Sequence, residues 1–239
     1  MFAESPARKT SVFLSARWSN LAILSYTVPP EVLEPLLPPG CGLDNWDGRA
    51  YVSLVAFDFL DTRVRGISWP GLRNFPEVNL RFYVRHNDQR GVCFIREYVP
   101  SRGVALVARL FYNEPYSSAA MTSRVNEQAD SISILHQVDV NGRRQTIQAT
   151  GGKPAFRPAA DSIEHHFKEH NWGCGTSRSG GLIRFRVEHE AWEIYPIQSV
   201  DLDWDWPAAY GERWNILRNR QPDHALLAAG SEVRVFRAC

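Results

Sequence analysis

Residues 77–85, Glu-Val-Asn-Leu-Arg-Phe-Tyr-Val-Arg, alternate polar and apolar side chains without a break. Only an extended strand turns such a pattern into two coherent faces. Val78, Leu80, Phe82 and Val84 share one side, and Glu77, Asn79, Arg81, Tyr83 and Arg85 share the other. The commonest setting for this pattern is a half-buried strand with a solvated polar face. The alternative is that the polar face lines the interior of a barrel and serves a small polar ligand. Same-face neighbours lie ~6.6 Å apart, so Glu77 and Arg81 are separated by ~13 Å and cannot pair directly. If both act on one ligand, neighbouring strands must complete the site.

Further strand signals fall at 20–28, 48–60, 91–99, 132–140, 143–149, 182–191, 193–204 and 231–237. The pair 132–140 and 143–149 flanks Asn141-Gly142, the strongest short hairpin signal in the chain. Short helices are predicted from Pro30 through Leu37, near 102–112 behind a Ser101 cap, at 161–171 and near 207–217. Pro38-Pro39-Gly40 stops the first. The third opens on a capping box, Asp161 to Glu164, and ends in a glycine-rich stop. Many antiparallel strands with few short helices imply an α+β, mainly antiparallel β, barrel or sandwich. The lack of regular strand–helix alternation argues against a doubly wound parallel sheet. No repeat or linker divides residues 1–239, which read as a single domain with 1–15 as a loosely packed leader.

Hydrophobic residues make up 44% of the chain and charged residues 22%, enough for a real core and against disorder. With 27 basic and 26 acidic residues there is no field of one sign, which argues against a nucleic-acid partner. Cys41, Cys93, Cys174 and Cys239 show no CxxC spacing, and the first fifteen residues have no signal-peptide core. No apolar run is of membrane-spanning length. A reduced, soluble, cytoplasmic protein with no membrane partner is expected; a homo-oligomer is compatible with the sequence. Neither G-x-G-x-x-G nor G-x-x-x-x-G-K-[ST] occurs, so no nucleotide cofactor is implied, and no cofactor is expected.

Chemistry-bearing side chains cluster in few places. Arg109, Glu114 and Tyr116 crowd a chain reversal at Pro115, where a phenol and a guanidinium could hold a carboxylate or polarise a carbonyl. His166, His170 and Cys174 recur at four-residue spacing, but no fourth ligand is evident. A solvated helix face bearing His165, His166 and His170 is the better reading, with no metal site. Asp201, Asp203 and Asp205 read as a solvent-facing strand edge. The only lysines are Lys9, Lys153 and Lys168.

Several segments together resemble the YqjF-like family: Arg17-Trp18, Val28-Pro29-Pro30, Leu37-Pro38-Pro39-Gly40, 47–52 (Asp-Gly-Arg-Ala-Tyr-Val), 75–81 (Phe-Pro-Glu-Val-Asn-Leu-Arg), Ala108-Arg109 with Pro115-Tyr116, and His189-x-x-Trp192. The helix at 162–172 departs from the family pattern. The resemblance implies the fold of acetoacetate decarboxylase, a β-barrel or cone with its active site inside. It therefore favours the interior reading of 77–85. In those decarboxylases a Gly-Arg-Glu helix leads through a proline to two lysines, the first forming a Schiff base. Here Tyr116-Ser117 stands where the lysine pair would be, and no other lysine has a lysine neighbour. The resemblance thus implies a small-molecule pocket without a Schiff-base amine. Glu77 and Tyr116 are the candidate catalytic groups, and Arg17, Asn79, Arg81 and Arg109 the candidate binding groups for a small carbonyl or carboxylate ligand. A non-catalytic binding or sensing module on the same barrel is the alternative.

Overall fold

The structure is a computed structural model and describes residues 11–101, 103 and 115–236. Its strands in chain order are β1 (Val12–Val28), β2 (Gly42–Leu43), β3 (Ala50–Val64), β4 (Phe75–His86), β5 (Gln89–Val99), β6 (Tyr116–Ser118), β7 (Met121–Glu127), β8 (Ser131–Val140), β9 (Arg143–Gly152), β10 (Trp172–Thr176), β11 (Leu182–His189), β12 (Ile194–Tyr195), β13 (Ile197–Asp203) and β14 (His224–Phe236). Short helical segments at Pro30–Leu33, Ile163–Lys168 and Trp206–Tyr210 punctuate them, the first and third running on into 3₁₀ turns at Glu34–Leu36 and Glu212–Leu217. The predicted helix at 102–112, with Arg109, and Glu114 lie outside the described residues.

The larger sheet closes on itself. Passing from β4 through β3, β1, β14, β11, β10 and β5 returns to β4, a ring of seven strands. An odd ring cannot alternate direction all the way round, so one neighbouring pair must run parallel. That pair is β5 with β10, joined at Gly173 and Val92. A Cβ on Gly173 would sit 2.0 Å from the Phe185 ring, so only glycine passes there. In the sequence this strand looks like a glycine-rich stop, because Gly173 and Gly175 weaken any strand signal.

A second sheet, in the order β13-β9-β8-β7, packs on the outside of this ring. The core between the sheets joins Leu24, Leu54, Val78, Leu80 and Phe82 of the ring to Ile132, Ile134, Ile147 and Ala149 of the second sheet. A separate apolar cluster fills the ring interior, with Leu21, Ile23, Val55, Phe57, Phe59, Tyr83, Phe167 and Trp192. β4 therefore faces two buried environments. Val78, Leu80, Phe82 and Val84 face the second sheet, while Glu77, Asn79, Arg81 and Tyr83 turn inward. Its polar face is not solvated: Asn79 is 2% and Arg81 7% exposed.

Other boundaries moved for local reasons. β1 begins at Val12 and buries Phe13, so order reaches into the predicted leader. The helix at Ile163–Lys168 is capped by Ser162, whose hydroxyl accepts from the His165 amide, rather than by Asp161. Asn141 (φ +54°) and Gly142 (φ +81°) make the predicted β8–β9 turn, since both sit in the left-handed region that such a hairpin requires. Asp203 and Asp205 pair with Arg143 at the β13 edge. No helix among the described residues is long and apolar enough to cross a membrane.

Candidate functional site

The ring interior holds a cavity of about 140 Å³. Most of its wall is apolar, and much of that is aromatic. Phe59 stacks on Phe75 with ring centroids 4.7 Å apart, and Trp18 meets Phe57 edge-on at 5.3 Å and Trp192 at 6.0 Å. The polar groups are gathered where β4, β5, β6 and the segment after Ile163–Lys168 converge.

Glu77 is the centre of this polar patch. Its Oε1 accepts from Asn79 Nδ2 at 3.0 Å, and its Oε2 accepts from the Tyr116 hydroxyl at 3.0 Å. Parallel pairing of β6 on β5 sets Tyr116 beside Glu97, and antiparallel pairing of β4 on β5 sets Asn79 opposite Glu97. The Glu97 carboxyl hydrogen-bonds that of Glu77. Both carboxyls are 2% exposed. Burial raises the Glu77 pKa from 4.5 to about 7, and the bonds from Asn79, Tyr116 and Glu97 and the charge of Arg81 only partly offset it. The sequence left this direction open, because an approaching arginine opposes desolvation. Desolvation wins.

Arg81 donates from Nη2 to the Phe167 carbonyl at 2.9 Å, which fixes its guanidinium against the cavity. Lys168 and His170 also line the cavity, at 2% and 8% exposure. This corrects the reading of their helix as a solvated face: Ile163–Lys168 plugs the ring, and Phe167 enters the interior cluster. Lys168 Nζ donates to Glu169, whose Oε1 also accepts from the Trp192 amide at 3.1 Å. Burial and the charges of Arg81 and Arg90 push the His170 pKa well below its usual value, so the ring is neutral at physiological pH. His166 drops to about 4 for the same reason, burial first, and its Nδ1 accepts from Arg90 at 2.6 Å. His189 stacks on Trp192 at 4.4 Å, and Trp192 Nε1 donates to Ser231.

Of the candidate residues, Glu77, Tyr116, Asn79 and Arg81 meet in the cavity. Arg17 does not: next to Trp18, which lines the wall, it alternates to the exposed face of β1. Arg109 lies outside the described residues. The sequence pattern does not mark Glu97, Lys168 or His170 as site residues, yet all three line the cavity. Cys174 lies against Cys41 rather than the histidines, and among the described residues no group of three or more His, Cys, Asp or Glu side chains is placed to hold a metal ion.

A family model described as an uncharacterized conserved protein, DUF2071, matches residues 15–232. The chain belongs to the DUF2071 family. Uncharacterized protein YqjF of Bacillus subtilis is 27% identical over 183 residues, 73% of this chain and 72% of that protein. Solved structures similar to this DUF2071 chain include the acetoacetate decarboxylase of Legionella pneumophila, with a TM-score of 0.63 and 13% identity over all of this chain and 92% of that one. An acetoacetate decarboxylase-like enzyme from Sphingomonas wittichii gives 0.64 and 13%, covering 98% of this chain and 94% of that one. The enduracididine biosynthesis enzyme MppR, complexed with pyruvate, gives 0.64 and 12%, covering 97% and 91%. At such identities these likenesses establish the fold: the DUF2071 chain is an acetoacetate decarboxylase-like cone, mainly antiparallel β with a few short helices.

Proposed function

We propose that this protein acts on a small carbonyl or carboxylate compound by proton transfer beside the carbonyl, without an imine. Glu77 is the general acid–base, Tyr116 the hydrogen-bond donor to the carbonyl oxygen, and Asn79 and Arg81 the binding groups. One observation carries this reading: a buried carboxyl with a pKa near 7 and a phenol 3.0 Å from it face the same cavity. A base poised near the working pH is what α-proton abstraction requires. The Tyr116 hydroxyl, which donates to Glu77, would turn to the substrate oxygen as charge develops there. The absence of a lysine at 116 supports an imine-free mechanism. So does the ion pair that holds Lys168 to Glu169.

The test follows α-proton exchange of small ketones and keto acids in D₂O by NMR. Wild-type protein is expected to accelerate exchange, with a rate that rises with pH and levels off above about 7 as Glu77 ionises. Glu77→Gln should lower it by about 10²–10⁴-fold. Exchange that is unchanged in Glu77→Gln would sink the assignment. Ligand binding without exchange in the wild type would support the alternative of a binding or sensing module.

A further inference from the structure

His170 has an edge that the proton transfer does not use. The Arg90 guanidinium lies 3.4 Å from its Nε2. A guanidinium has no acceptor, so Nε2 is the bare nitrogen and Nδ1 carries the proton. That Nδ1 is buried and has no hydrogen-bond partner among the described residues. His170 lines the cavity and Arg90 does not. Nδ1 lies across the ring from Nε2, so the ring turns its bare nitrogen to Arg90 and its N–H toward the cavity side.

Arg81 supplies a second donor of the same kind. Its Nη2 is committed to the Phe167 carbonyl, while its Nε is buried and unpartnered among the described residues. Both side chains pack on the Tyr83 ring, Arg81 with Cζ 6.0 Å from the centroid and His170 with ring centroids 5.1 Å apart. A buried donor left without an acceptor costs about 1–3 kcal/mol. Two of them, on neighbouring residues of a cavity wall, suit one acceptor oxygen. Tyr116 already serves the carbonyl oxygen, so these N–H groups address a different one. Most of the remaining wall is apolar, which puts both oxygens at one end of the ligand.

Resting on the proton-transfer reading above, we infer that His170 is a ligand-binding residue, whose Nδ1–H joins the Nε–H of Arg81 in holding a second oxygen on the carbon next to the carbonyl. The ligand is thus an α-oxygenated carbonyl compound. A hydroxyl and a carboxylate both present such an oxygen.

Isothermal titration calorimetry with three probes on one carbon skeleton tests this: butan-2-one, 1-hydroxybutan-2-one and 2-oxobutanoate. At least one oxygenated probe should bind at least tenfold tighter than butan-2-one, about 1.4 kcal/mol, and the tighter of the two identifies the second oxygen as hydroxyl or carboxylate. His170→Leu keeps the branch at Cγ and removes the donor, so the advantage should shrink about fivefold or more. His170→Asn carries an amide N–H where Nδ1 stood and should retain most of it. No advantage in the wild type, or an undiminished one in His170→Leu, would overturn the inference. NMR of the wild type with ¹⁵N-labelled histidine adds a readout that needs no variant to fold: an Nδ1-protonated His170 whose signal moves on adding the tighter probe is expected, and an Nε2-protonated ring would overturn it. The D₂O assay separates this inference from the one beneath it. An advantage lost in His170→Leu, with exchange unaffected by Glu77→Gln, would keep the donor and remove the acid–base role; exchange lost in Glu77→Gln, with no advantage for a second oxygen, would do the reverse.

Discussion

A carboxyl that is protonated up to about pH 7 leaves a mark on stability that can be measured without any ligand. Glu77 has an ordinary pKa of 4.5 in the unfolded chain and about 7 in the fold. Between those values the folded state binds the extra proton, so stability falls as pH rises. The window follows from the sign: the contribution is fully present below pH 4.5 and is lost by the time pH passes 7. At about 1.4 kcal/mol per pKa unit the loss amounts to about 3 kcal/mol. Glu77→Gln has nothing to titrate there. It keeps the size and an acceptor oxygen, and sacrifices one of the bonds from Asn79 or Tyr116, at a pH-independent cost of about 1 kcal/mol. Wild type and Glu77→Gln should therefore be melted side by side from pH 4.5 to 8, so that all other titrations cancel in the difference. For a chain of this length each kcal/mol shifts Tm by about 2–4 °C. The wild type should lose about 6–12 °C relative to the variant across the window, and nothing further above it. A Tm difference that stays constant from pH 4.5 to 8 would refute the buried, proton-holding carboxyl and with it the acid–base role.

Three other outcomes are expected. Borohydride added with acetoacetate should leave the intact mass unchanged, because no lysine stands at 116 and Lys168 is held by Glu169; a reduced adduct on any lysine would contradict the imine-free mechanism. Gly230→Ala should abolish folding or lower Tm drastically, since Gly230 has φ +81° and a Cβ there would lie 2.0 Å from the Trp18 carbonyl oxygen; a wild-type melt would show that β1 and β14 do not meet as described. Leu80→Ala should cost about 2–5 kcal/mol in denaturant melts while leaving ligand affinity within twofold, because Leu80 packs between the sheets and not in the cavity.

The sequence was most legible where one local rule decided the outcome. Alternation alone placed β4 and sorted its faces, and Asn141-Gly142 placed the β8–β9 turn. It was least legible where tertiary closure overrides local preference. Glycine at 173 reads as a break until Phe185 is known to need the space. Lys168 and His170 look like a solvated helix face because their neighbours are charged; only the docking of that short helix into the ring buries them. Glu97 was hidden by a different device. A bulge in β5 opposite Leu80 and Arg81 breaks the two-residue period, so Phe94 and Glu97, of opposite parity, both line the cavity. Counting along 91–99 cannot reveal that. Tyr116 is legible twice, in the polar cluster at the Pro115 chain reversal and in its place after that proline in the family pattern.

The two-faced burial of β4 also bears on how reliably the chain finds its fold. A strand with one wet face is penalised for slipping by one residue on its dry side only. In β4 the same slip would drive Glu77, Asn79 and Arg81 into the seam against Ile134 and Ala149, and would strip the cavity of those three polar groups. Charged and amide groups forced unpaired into such a seam each cost several kcal/mol. A misaligned chain is thus rejected twice, by the core it spoils and by the site it fails to build. The polar lining acts as a proofreading mark for the ring, and a substitution that makes it uniformly apolar would be expected to relax that check even where it leaves the melting temperature higher.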